Sequence, residues 1–151
     1  KPKLWNVTNF NRLINSLNIK YKNLKFILVG SHSEKSLYYQ DITKNLSEDI
    51  FIDIMGKSLT LTSAYMKKSN IFIGNDSGLM HLSVASRLNT IALFGPTNDK
   101  IYGHNKKNFF LLRTSQSYEY FSKKSIDINK SYMESIKPEH ILKIIDEKNL
   151  L

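Results

Sequence analysis

A chain of 151 residues, 41% hydrophobic and 23% charged with only 6 Gly and 3 Pro, falls outside the disordered, collagen-like and low-complexity classes; it is long enough for one domain with its own core but not for two. With no Cys it forms neither a disulfide framework nor a thiolate metal site, which fits a reducing compartment. Its formal net charge is +9, which raises nucleic acid or an anionic membrane surface as a partner.

Helix-like and strand-like segments alternate along the chain. Thr8 is a candidate cap for a first helix over which Phe10, Leu13, Ile14 and Leu17 recur at helical spacing. Residues 25–29 then read as a buried strand ending at Gly30, and residues 34–46 as a polar helix. Residues 50–54 form the next strand, followed by Gly56-Lys57-Ser58 and a helix over residues 59–68. Residues 71–73 are a short strand ending at Gly74, residues 77–88 a helix, residues 90–94 a strand closed by Gly95-Pro96, and residues 109–112 a fifth strand. Residues 114–131 are polar and read as irregular, and Pro138 opens a final helix carrying Ile141, Leu142, Ile144 and Ile145. Short continuous apolar strands separated by helices predict an α/β, Rossmann-like domain, a parallel sheet with helices on both faces.

The charge argues less than it first suggests. Of the 22 cations, 19 are Lys and only Arg12, Arg87 and Arg113 carry the planar guanidinium fork on which base-reading surfaces lean. A solvated Lys-rich surface is therefore favoured over a nucleic-acid site. Residues 1–33 contain no acid, and residues 100–124 hold six cations against Glu119, so these stretches remain candidates for facing a membrane. No apolar run approaches a membrane span and no targeting signal is visible at the N-terminus. The first residue is Lys rather than Met, and the expectation is a chain that begins inside a longer protein.

In a doubly wound sheet the ligand lies at the carboxyl ends of the strands. The richest segment there is Gly74-Asn75-Asp76-Ser77-Gly78-Leu79-Met80-His81. Backbone N–H groups at Ser77 and Gly78 are unpaired at a helix start, where the dipole favours an anion, and Gly78 permits close approach. His81, four residues after Ser77, shares its helix face and reaches the same anion. A plainer reading makes Asp76 or Ser77 an ordinary N-cap and His81 a helix histidine, and on these residues alone both stand. There is no P-loop, no G-x-G-x-x-G and no G-x-S-x-G, and His32, His81, His104 and His140 lack metal-ligand spacing.

The signature Gly74-Asn75-Asp76-Ser77-Gly78-Leu79-Met80-His81-Leu82, with Phe94-Gly95-Pro96-Thr97 starting thirteen residues after His81, resembles glycosyltransferase family 9, the heptosyltransferases of lipopolysaccharide core synthesis. Lys3-Leu4-Trp5, Gly56-Lys57-Ser58-Leu59 and Ile136-Lys137-Pro138-Glu139 are similar to further family motifs in the same order. The resemblance implies the C-terminal, donor-binding half of a GT-B glycosyltransferase, lacking its first strand. It also implies an inverting, metal-independent transfer of heptose from a nucleotide sugar, typically ADP-heptose, to a lipopolysaccharide core or related acceptor, with no further cofactor. By the same carry-over, Ser77, Gly78 and His81 hold the diphosphate, Asp76 shapes the turn, and Lys3 adds positive charge. Glu34 accepts from the ribose, Lys57 lines the base and Thr97 lies near the sugar.

The family's catalytic base belongs to an N-terminal domain absent from these 151 residues, so no catalytic residue is assigned and the isolated chain is expected to transfer nothing. The implied location is cytoplasmic, peripheral at the inner face of the inner membrane, with no nucleic-acid partner. Competing readings are a non-catalytic nucleotide- or polyanion-binding module of the same fold and half of a sugar-nucleotide epimerase. Where the family has Gly at position 87 and Pro at position 89 this chain has Arg87 and Asn89, and Asn89 is expected to take over the left-handed helix cap.

Overall fold

The computed structural model describes residues 1–151. In chain order it contains α1 (Val7–Lys20), β1 (Phe26–Leu28), α2 (His32–Thr43), β2 (Phe51–Asp53), α3 (Leu59–Met66), β3 (Ile71–Asn75), α4 (Gly78–Ala85), β4 (Asn89–Phe94), α5 (Asp99–Tyr102), β5 (Phe109–Arg113), α6 (Tyr118–Ser122) and α7 (Pro138–Lys148). A single 3₁₀ turn, Glu48–Ile50, leads into β2. All strand pairs are parallel, as helical crossovers require.

β4 is the centre of the molecule. Its residues 90–94 are all buried, because helices cover both faces of the strand and β3 and β5 flank it. Side chains alternate across it: Ile91 and Leu93 enter a core with Trp5, Leu13, Leu17, Ile136, Ile141 and Ile145 from the α1 and α7 side, whereas Ala92 and Phe94 pack with Met66, Phe72, Met80 and Leu88 on the α3 and α4 side. Trp5, completely buried, donates its indole N–H to the Ile136 carbonyl at 2.8 Å and meets Phe10 edge to face. Its role is packing.

Several expectations shift in detail. The cap of α1 is Asn6, whose side chain accepts from the Thr8 N–H, so Thr8 lies inside the first turn rather than before it. The polar segment 114–131 contains α6, capped by Ser117, and α5 forms after Asn98; both helices are too short for their periodicity to show. α4 ends earlier than residue 88, and the left-handed residue that follows it is Arg87 (φ 62°), while Asn89 opens β4. The cap therefore stays at the position it has in the family's pattern, on a side chain poorly suited to it.

The predicted single sheet is interrupted. β1 pairs only with β2, and β3–β4–β5 form a separate ladder. Between β1 and β3 lies a cleft of about 420 Å³ lined mainly by apolar side chains, Phe10, Leu13, Ile27, Val29, Ile71 and Ile73 among them. The facing edges of β1 and β3 make no ladder bonds to one another. No helix is long and apolar enough to cross a membrane.

Candidate functional site

The carboxyl end of β3 runs directly into the signature turn. Gly74 is held there by packing, since a Cβ on it would lie 2.7 Å from the Phe72 ring. The Asn75 side chain accepts the Trp5 N–H at 3.0 Å, and the Asp76 N–H bonds to the Leu93 carbonyl, so the turn is pinned to the segment before α1 and to β4. The Asp76 carboxylate is buried and takes a bond from Lys3 Nζ at 3.1 Å.

Ser77 is the N-cap of α4 with extended backbone, but its hydroxyl makes no cap bond. Ser31, Ser58 and Ser117, at the starts of α2, α3 and α6, all make that bond. The Met80 and His81 N–H groups return to the Ser77 carbonyl, leaving the N–H groups of Ser77, Gly78 and Leu79 with no protein acceptor at the positive end of the helix. Ser77 and Gly78 are exposed, and a Cβ built on Gly78 meets nothing within 4 Å. The ordinary-cap reading is thus not what forms. Three free donors surround open space, an arrangement suited to a diphosphate.

His81, in the next turn of α4, is half-buried. Its Nδ1 lies 2.8 Å from His104 Nε2, and the His104 ring packs edge-on against Phe109 with centroids 5.3 Å apart. Burial, then the neighbouring His81 and Lys106, hold His104 below the usual imidazole range, so it is the readily neutral member of the pair. The Nε2 atom of His81 has no protein partner.

Lys3, Glu34, Asp76 and Ser77 come together along one mouth of the β1–β3 cleft. Glu34 is already engaged: its Oε2 accepts from the Ser31 N–H at 2.7 Å and the Ser31 hydroxyl at 2.8 Å, completing a capping box on α2. Lys57 sits in the exposed turn after β2, where Gly56 adopts φ 77°, and is not among the residues lining the cleft. Thr97 borders a second, shallower hollow shared with Lys1, Lys3 and Pro96. Its carbonyl accepts from Arg113 Nη1 at 2.9 Å, and the same nitrogen pairs with Asp99 at 2.7 Å, so the end of β5 fixes this loop.

Sequence reasoning missed His104, Arg113 and Asn75. His104 lies 23 residues from His81, and only the parallel β4–β5 crossover returns it to α4. No local spacing signals that meeting. Asn75 stood inside the motif, where its tie to Trp5 has no sequence signature.

The family model for glycosyltransferase family 9 (heptosyltransferase) matches residues 1–133. Among solved structures, the glycosyltransferase family 9 protein of Veillonella parvula superposes with a TM-score of 0.80 at 26% identity, covering 97% of this chain and 42% of that one. E. coli heptosyltransferase WaaC with ADP gives 0.78 at 16% identity over 97% and 40%, and E. coli ADP-heptose lps heptosyltransferase II gives 0.76 at 19% identity over 97% and 42%. No curated protein matches the chain. Fold and signature turn define a Rossmann-like domain of the GT-B glycosyltransferases. The chain belongs to glycosyltransferase family 9, and it spans 40–42% of the length of these solved relatives.

Proposed function

We propose that these residues are the donor-binding half of an inverting glycosyltransferase that moves a heptose or related sugar from a nucleotide sugar, ADP-heptose by preference, to a lipopolysaccharide core or related glycan. The observation that carries this reading is the open start of α4, where the Ser77, Gly78 and Leu79 N–H groups lack acceptors and Gly78 leaves space for a ligand. When the sugar departs, negative charge grows on the diphosphate, and fixed donors placed there stabilise it. His81 adds a further donor. Because these groups compensate the charge, the transfer needs no divalent cation. The heptosyltransferase solved with ADP shares the fold, which supports a nucleotide as the ligand.

The apolar β1–β3 cleft supports a missing strand. A strand entering parallel to β1 and β3 would emerge at their carboxyl ends, where Lys3 and Leu4 line the cleft mouth. The segment directly ahead of Lys1 is the natural occupant, followed upstream by an N-terminal Rossmann-like domain that supplies the acceptor site and the catalytic base. The acidless stretch of residues 1–33 suits a peripheral contact with an anionic membrane at the cytoplasmic face.

Calorimetric titration with ADP, UDP and an oligonucleotide at two salt concentrations tests the reading. Preferential ADP binding that weakens in His81→Ala supports it. Salt-sensitive oligonucleotide binding indifferent to His81→Ala points instead to a polyanion-binding module. Sugar transfer by the isolated 151 residues would refute the division of labour between two domains.

A further inference from the structure

We propose that His104 is a positioning residue for His81, accepting a hydrogen bond from His81 Nδ1–H so that the opposite ring nitrogen, Nε2–H, is presented to the bound diphosphate. The inference rests on the donor-site reading above. Its basis is the 2.8 Å contact between His81 Nδ1 and His104 Nε2. An imidazole that must donate to an anion works best as the imidazolium, and an imidazolium needs an acceptor on its far nitrogen. Carboxylates commonly fill that role. Here none does: the only polar partner of the His81 ring is His104.

A neutral imidazole can serve in place of a carboxylate only if it stays neutral while its neighbour is charged. The surroundings of His104 favour this. It is packed against Phe109 and partly buried, and the charged groups acting on it are His81 itself, from α4, and Lys106, two residues along its own loop. Both are cationic or become so, and both disfavour a proton on His104. His104 is therefore suited to offer its Nε2 lone pair to the Nδ1–H of His81. A diphosphate arriving at the start of α4 draws the pair further into this form, with the His104 ring fixing the plane of His81 through the edge-on contact at 5.0 Å between centroids.

The arrangement also separates the two histidines by function. Removing His81 deletes a group that touches the ligand. Removing His104 leaves that group in place but free to rotate about its side chain.

ADP titrations of the wild type, His81→Ala, His104→Phe and His104→Gln between pH 5.5 and 8.5 test this, together with ring-nitrogen NMR of His81 in the free protein. Phe keeps the packing on Phe109 without an acceptor, while Gln retains an acceptor oxygen. The expected result is about tenfold weaker ADP binding for His104→Phe at neutral pH, the scale of one lost hydrogen bond. The hydrogen-bonded His81 Nδ1–H signature should be lost in the same variant. His104→Gln should bind within about threefold of wild type. If His104→Phe binds ADP with wild-type affinity while His81→Ala does not, or if the free wild-type protein shows no hydrogen-bonded His81 Nδ1–H, His104 is only a packing residue and the proposal is overturned alone. If His81→Ala binds ADP as wild type does, or wild type binds none, the donor-site reading falls and takes the proposal with it.

Discussion

Lys3 Nζ sits 3.1 Å from Asp76 Oδ2, joining the segment before α1 to the signature turn after β3 across 73 positions of sequence. Asp76 is 5% exposed, whereas the Lys3 side chain is 48% exposed. The family resemblance assigns the Lys3 charge to the ligand's phosphates. The structure gives that charge a partner inside the protein, and its first consequence is for stability.

Lys3→Ala strands a buried carboxylate. Breaking a fully buried pair costs about 3–5 kcal/mol, and the exposure of Lys3 reduces this to about 1–2 kcal/mol. Urea unfolding at neutral pH should show that loss, while the Asp76→Asn, Lys3→Ala double variant should recover part of it. Equal stability of Lys3→Ala and wild type would mean that the pair is not formed in solution.

Arg87 occupies a left-handed conformation (φ 62°) just after α4, with its side chain exposed. Non-glycine residues pay about 1–2 kcal/mol there, offset in part by the greater unfolded-state entropy of glycine. Arg87→Gly should therefore stabilise the protein by about 0.5–1 kcal/mol, seen as a higher urea midpoint with unchanged slope. Arg87→Ala keeps the strain and should show no such gain.

The two helices that cover one face of the β3–β4–β5 ladder, α1 and α7, are tied by Asp146, which accepts from Lys20 Nζ and from the Tyr21 hydroxyl at 2.8 Å. The bonds from Lys20 and then Tyr21 hold the Asp146 carboxyl below its ordinary value of 3.8. A carboxyl depressed in the folded state binds fewer protons there than in the unfolded chain. Its contribution is present above about pH 4 and is lost as pH falls through the folded value. Asp146→Asn should lower the urea midpoint modestly at pH 7 and lose less than wild type between pH 5 and pH 3. Parallel acid limbs for the two proteins would contradict this.

Much of the fold was legible because its signals are local. Each predicted strand and each of the five longer helices exists, with boundaries shifted by a few residues. A run as short as residues 90–94, closed by Gly95-Pro96, reads as a strand buried on both faces rather than a helix, and Pro138 marks the start of its helix. The break between β1 and β3 was not legible from periodicity, since each strand looks the same whether its neighbour is present or absent. The free N–H donors of the signature turn were legible because Gly78 and the N–H groups beside it are consecutive in sequence. Whether Ser77 would cap its own helix was not, for the same residue type caps α2, α3 and α6. Glu34 shows the converse: the family resemblance assigns it to the ribose, whereas in the structure its carboxylate is bonded to Ser31 in a capping box that the sequence reading did not foresee.

Gly78 offers the most direct test of the central claim, that the start of α4 holds the diphosphate of a nucleotide. Apart from its chain neighbours and the backbone of α4 itself, no protein atom lies within 4 Å of where its Cβ would be, and alanine is the better helix former by about 0.5–1 kcal/mol. Calorimetric ADP titration of wild type and Gly78→Ala, with thermal unfolding of both, separates fold from function. The predicted result is an unchanged or higher Tm for Gly78→Ala together with at least about tenfold weaker ADP binding, because the added methyl occupies the ligand's place. Equal ADP affinity in the two proteins would contradict the claim.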